Sequence, residues 1–388
     1  MSAMMTPTPW GAGTVANSAA GATAADAGVP WGAALAALRR WAAETEGVRI
    51  SPDALSVARP VREAFYARVD EAAELLVTAV LGDELLARAE RLACALAEVR
   101  AEVERRSGLG RFGMPARLEA FAAHPVAALA EPLSPIVLDV VSGRRALWEV
   151  DGAVRAQLER SAAVLLRSAY EAWAYLGVVA ALNPVKFWAV ASADGRDLHP
   201  VPTDEVSMGW QVPSRELRHP EAVFQTADGR TFAMKCEAAR EIDYYSALTP
   251  PARDTSAGGS TENLLGHRVL LLYGLDGPEA VCPIVDRGAK RQVPADLACT
   301  VLAPREMTTP GLLGTFIERL RTLRTRGPVQ VLAFEEGAAF PAEMAADAAV
   351  PAVQVSSVGL DRAGLSEVAD RAAEGSGSVA TTPVRAGN

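Results

Sequence analysis

The stretch Ser161-Ala-Ala-Val-Leu-Leu-Arg167-Ser-Ala-Tyr170-Glu171-Ala-Trp173-Ala-Tyr175-Leu-Gly-Val-Val-Ala-Ala-Leu182-Asn183-Pro184-Val-Lys186-Phe-Trp-Ala-Val-Ala191 contains the point at which the chain changes character. Up to Leu182 the only charges are Arg167 and Glu171, four residues apart and so on one helical face. A helix that apolar is buried on most sides. It is expected over about Gly152 to Leu182, with Arg167 and Glu171 satisfying each other or nearby backbone, or with Glu171 facing a ligand. Past Pro184 the apolar period shifts from helical toward two, the pattern of strands.

Upstream of this join the sequence is rich in Ala, Leu, Arg and Glu. Apolar residues at helical spacing run from Trp31 to Glu46, and Ser51-Pro52 reads as an N-cap with a proline at the first helical position. Two amphipathic helices are expected at about Val61–Val80 and Glu84–Arg106, separated at Gly82, ended by Ser107-Gly108 and folded as an antiparallel hairpin. Shorter helical pieces fill Pro115 to Leu147.

Downstream, the tetrapeptide Ala-Asp-Gly-Arg occurs at 193–196 and again at 227–230, each time between strand-like runs. Asp-Gly is a hairpin turn signal, so Lys186–Ala191 should pair with Leu198–Val201, and Ala222–Thr226 with Thr231–Cys236. A third hairpin is expected between Arg268–Tyr273 and Ala280–Val285 around Asp276-Gly277. The last third alternates: a strand at Ala298–Ala303, a helix from Thr309-Pro310 to Arg326, a strand at Val329–Phe334, a short helix near Ala342–Asp347, a strand at Ala352–Val355 and a helix at Arg362–Ala373. Such alternation implies parallel strands with right-handed crossovers. The expected fold class is therefore α+β: a disordered tail at 1–28, an all-helical domain at 29–182, a mixed-sheet α/β domain at 183–374 with a long loop at 249–262, and a second disordered tail at 375–388.

Composition narrows the chemistry. Half of the 388 residues are hydrophobic, too many for a disordered chain, and no apolar run is long enough to span a bilayer. The N-terminal segment lacks the apolar core of a signal peptide, so a cytoplasmic protein without a membrane partner is expected. Cys94, Cys236, Cys282 and Cys299 have no metal-binding or redox spacing and read as buried thiols; the four histidines do not pair at helical spacing. A net charge of −9 argues against non-specific coating of nucleic acid. Only three of the 38 basic residues are lysines, namely Lys186, Lys235 and Lys290, and none lies in a phosphate-binding Gly-Lys-Ser/Thr motif. Gly108 to Gly113 matches G-x-G-x-x-G but follows a charged helix instead of a strand, which points to a flexible helix terminus.

Three groups of residues remain as site candidates. Arg319, Arg321, Arg324 and Arg326 crowd the end of the expected Pro310 helix, where cations complement the helix dipole or contact an anion or nucleic acid. Parallel pairing of the late strands would bring Arg305, Glu306, Glu335 and Glu336 to one sheet edge, where ligands of open α/β sheets bind. Asp276, Asp286 and Lys290 supply two acids and an amine for a divergent metal-dependent nuclease.

The segment Arg167-Ser-Ala-Tyr170-Glu171-Ala-Trp173, on a long apolar helix between an all-helical region and a sheet, resembles the nuclease subunits of McrBC-type modification-dependent restriction systems. The later strand, helix, strand and Val350-Pro351-Ala352-Val353 are similar to the end of such a domain. The resemblance implies a restriction-endonuclease-like fold of the PD-(D/E)xK superfamily, in which an acid and a lysine two apart on a core strand place Mg²⁺ and the attacking water. Here the residues two before Lys186, Lys235 and Lys290 are Pro184, Ala233 and Gly288. The expected function is thus a non-catalytic or strongly divergent nuclease-like accessory subunit or adaptor in a DNA-restriction or phage-defence assembly. It would need no cofactor, bind a protein partner such as a motor ATPase, and contact DNA through local arginine patches. The alternatives are an active Mg²⁺-dependent nuclease built on Asp276, Asp286 and Lys290, and a small-ligand enzyme or sensor at the C-terminal strand edge.

Overall fold

The structure is a computed structural model that describes residues 30–192, 197–208, 217–237, 269–286, 291–302, 320, 323–333 and 353–375. The expected tails at 1–28 and past 375, the loop at 249–262, the turn at 193–196 and the short helix at 342–347 lie outside these residues. The fold is α+β, with a helical N-terminal region and a mixed sheet. Two compact units divide it, a helical unit ending at Ala97 and resuming over Ala116–Ala169, and a sheet unit comprising Glu98–Pro115 and the chain from Tyr170 onward.

The helical unit begins with α1 (Pro30–Glu44), followed by β1 (Val48–Ile50) and β2 (Leu55–Val57), which pair antiparallel. Ser51-Pro52 sits in the turn of this hairpin, so the N-cap expected there does not form. The Ser51 Oγ instead accepts the Ala54 N–H at 3.1 Å, using the short polar side chain to close a turn. Helix α2 (Arg62–Ser107) is interrupted at Gly82, whose φ of 73° and ψ of 163° fit glycine and strain any other residue. Short helices α3 (Ala116–Ala123), α4 (Pro125–Ala130) and α5 (Ser134–Val141) follow, then the long α6 (Val150–Ala181). The unit is tied by Phe65, Val69, Leu76, Leu92 and Leu133, all almost inaccessible to solvent, and by the Arg39 guanidinium donating to the Val140 carbonyl.

In the sheet unit, α2 ends at Gly108, in the left-handed region at φ 72°, and the chain enters β3 (Arg111–Gly113). The glycine-rich run is therefore partly a strand, paired in parallel with β6 (Glu205–Ser207). Gly113 lies so close to Ser207 that a Cβ would meet its Oγ at 2.6 Å, which accounts for a glycine there. At the join between α6 and the sheet, Asn183 takes φ 54°, a conformation asparagine tolerates, and its carbonyl accepts the Ala227 N–H at 3.0 Å.

The central sheet has eight strands. In chain order these are β4 (Pro184–Ser192), β5 (Leu198–Pro202), β8 (Ala222–Thr226), β9 (Thr231–Glu237), β10 (Val269–Leu275), β13 (Leu297–Leu302), β14 (Val329–Ala333) and β15 (Val353–Ser357). Across the sheet they run β15-β14-β13-β10-β9-β8-β4-β5. The two Asp-Gly hairpins pair antiparallel as expected, β4 with β5 and β8 with β9, and the late strands β13, β14 and β15 are parallel. The third expected hairpin does not form. Strand β10 pairs with β9 and β13, Pro278–Ala280 is a turn of 3₁₀ helix, and β11 (Val285–Asp286) joins a separate sheet with β7 (Leu217–Arg218) and β12 (Arg291–Gln292). Central β10 runs Val269-Leu-Leu-Leu-Tyr273, apolar on both faces, and so demands two long neighbours that a single short return strand does not supply.

Strand alternation gives the two faces of the sheet different contents. On one, Phe187, Phe224 and Phe232 lie side by side across β4, β8 and β9 with ring centroids 5.4 and 5.5 Å apart, and Phe112 adds an edge contact at 6.1 Å. On the other, Val223, Ala233, Leu271, Ala298 and Val331 form a core closed by Val281, Ile284, Leu320 and Leu323. The last helix, α7 (Ala363–Gly375), packs Leu365 onto Gly177 of α6, where a Cβ would fall 2.3 Å from the leucine Cδ1.

Candidate functional site

Two charged side chains are sealed in the second face of the sheet. Lys235 lies in the middle of β9 and is 2% exposed, in the same alternation as Ala233. Glu221 enters β8, its N–H donates to the Met234 carbonyl at 2.7 Å, and Ala222 pairs with Met234, so Glu221 lies across from Lys235. The Lys235 Nζ stands 3.5 Å from the Glu221 Oε1, and the carboxylate side chain is 2% exposed. Burying either charge alone would cost several kcal/mol, on the order of the penalty for desolvating an ion, so the pair forms as a unit or not at all.

His219, two residues before Glu221 and separated from it by Pro220, completes the cluster. Its Nδ1 is buried without a hydrogen-bond partner. Burial first and Lys235 second hold its pKa below the usual histidine value, so the ring is neutral at pH 7. The cluster is one acid, one ammonium and one neutral imidazole. Ala233, two residues before the lysine on the same strand, adds no ionisable group to the cluster.

Other buried polar groups of the sheet unit serve the scaffold. The Asp296 carboxylate accepts the Gly274 N–H at 2.6 Å and the Arg326 Nη1–H at 3.0 Å. Arg371 donates to the Gln330 side chain at 2.6 Å, linking α7 to β14. Glu171 is 2% exposed, one helical turn before Tyr175. Burial above all, then Glu171, Cys299 and Cys236, raise the Tyr175 phenol well above its usual pKa, against a smaller opposing effect from a hydrogen bond with Thr300. Burial likewise raises the Cys299 thiol, which keeps it protonated and inert. Among the described cysteines Cys236 and Cys299 are buried, as expected, whereas Cys282 is half-buried and Cys94 is exposed.

The residues singled out from sequence scatter. Asp276 is exposed in the bend after β10, and Asp286 ends β11, its backbone opposite Leu217 and Arg291 in the small three-stranded sheet. Lys290, Arg305, Glu306, Arg319, Arg321, Glu335 and Glu336 lie outside the described residues. Arg324 and Arg326 are described, and they are not in the last turn of a helix. Residues 323–326 leave helical geometry because Thr325 bridges Ala295 and the Arg326 N–H donates to the Ala295 carbonyl at 2.8 Å. Arg324 is exposed, while the Arg326 guanidinium is held by Asp296.

Glu221 and His219 are the additions. Counting outward from a two-residue Asp228-Gly229 turn would pair Ala222 with Lys235 and Glu221 with Cys236. The observed register is shifted by one residue, with the Thr226 N–H donating to the Arg230 carbonyl at 2.9 Å, and it pairs Ala222 with Met234 and so sets Glu221 against Lys235. The acid that meets Lys235 lies on the neighbouring strand, where spacing along the lysine's own strand does not reach it.

Among the described residues, no group of three or more His, Cys, Asp and Glu side chains is arranged to hold a metal ion, and no helix is long and apolar enough to cross a membrane. Comparison of the chain with family models, curated proteins and solved structures gives no match.

Proposed function

We propose that the chain is a nuclease-like accessory subunit that has given up catalysis and works as an adaptor, in the cytoplasm, within a DNA-restriction or phage-defence assembly. The observation that carries this reading is the Lys235–Glu221 pair at 3.5 Å, with Ala233 two residues before the lysine. Metal-assisted phosphodiester cleavage asks for carboxylates that hold a divalent cation and an amine free to orient water. In this protein the acid facing Lys235 is already paired with that amine, and the residue that would supply the next carboxylate is a methyl group. What remains is a rigid, dry sheet suited to holding a surface in place for a protein partner such as a motor ATPase, with exposed arginines such as Arg324 able to meet DNA.

The test is plasmid cleavage in Mg²⁺ or Mn²⁺. The native protein is expected to leave the plasmid intact, and to co-purify with a partner protein from its host. Ala233→Asp, checked for folding by circular dichroism, would rebuild an acid two before Lys235 and is the variant in which cleavage is expected to emerge. Cleavage by the native protein that disappears in Lys235→Ala would overturn the adaptor. Cleavage lost instead in Asp286→Ala or Lys290→Ala would establish a divergent Mg²⁺-dependent nuclease using Asp276, Asp286 and Lys290.

A further inference from the structure

We draw no further inference here: the strongest candidate, the outer edge of β15 at the end of the eight-stranded sheet, where Val353-Gln354-Val355-Ser356-Ser357 carries neither charge nor proline, carries nothing because no observation in the structure shows what covers that edge.

Discussion

The helical unit and the sheet unit bury different things. Among the described residues, the polar side chains buried in the helical unit are Ser142 and Ser161, and each hydroxyl simply donates to a carbonyl of its own helix, Asp139 and Gln157 respectively. Ion pairs of this unit among the described residues, such as Arg144 and Arg145 with Asp139 and Arg155 with Asp151, are solvent-accessible and contribute little. The sheet unit buries Glu102, Glu171, Lys235 and Asp296. Apolar packing is forgiving of substitution as long as volume and pattern hold, whereas a buried charge requires a particular partner at a particular place. The helical unit is therefore specified by pattern, and the sheet unit by pairs.

The sharpest way to break that contrast is at Lys235. Lys235→Met should lower the free energy of unfolding in urea by about 3–5 kcal/mol, because Glu221 is left buried without its cation. The double variant Lys235→Met with Glu221→Leu should recover most of the loss, since replacing both charges by apolar groups is often neutral. A single variant as stable as the native protein would remove the basis for treating the pair as a unit.

A smaller loss, about 1–3 kcal/mol, is expected for Gly177→Val, whose side chain would be driven into Leu365, a residue 1% exposed. This separates packing from charge within the sheet unit, and pairing it with Leu365→Ala should return part of the stability. In the helical unit the counterpart is a backbone effect: Gly82→Ala should cost about 1–3 kcal/mol, although nothing lies near its added Cβ, because φ of 73° with ψ of 163° is a conformation for glycine alone.

The smallest effect is expected at Arg362, whose Nη1 sits 2.5 Å from the Glu102 Oε2 while its side chain is 46% exposed. Arg362→Ala should cost no more than about 1 kcal/mol near neutral pH. Arg362, followed by Arg106 and Arg105, holds the Glu102 carboxyl below its ordinary value of 4.5. The stabilisation is therefore complete above that value and lost as the pH falls through the lowered pKa. Urea titrations at pH 7 and at successively lower pH should show the native protein and Arg362→Ala converging as the pH falls through the lowered Glu102 pKa.

The elements legible in the sequence were those announced by local chemistry. Asp228-Gly229 fixed a hairpin, Asn183-Pro184 ended a helix, and the alternation of the last third implied parallel strands that are present as β13, β14 and β15. What escaped were pairings between distant segments with weak local signals. Strand β3 is three residues long and finds β6 far along the chain, and β7, β11 and β12 have two residues each, too few for any period to register. The same limit applied to the site. Lys235 could be judged from sequence against residue 233 on its own strand, but its counter-ion comes from the adjacent strand, and only the register makes them neighbours.

The far margin of the large sheet has a consequence of its own. Strand β5 carries Pro200 and Pro202 on either side of the exposed Val201. Proline has no amide hydrogen to offer, so a stray extended chain meeting this border finds gaps where it would look for donors. The exposed Val201 between them is thereby kept from recruiting such a chain, and the protection comes from two side chains whose missing hydrogens matter more than anything they touch.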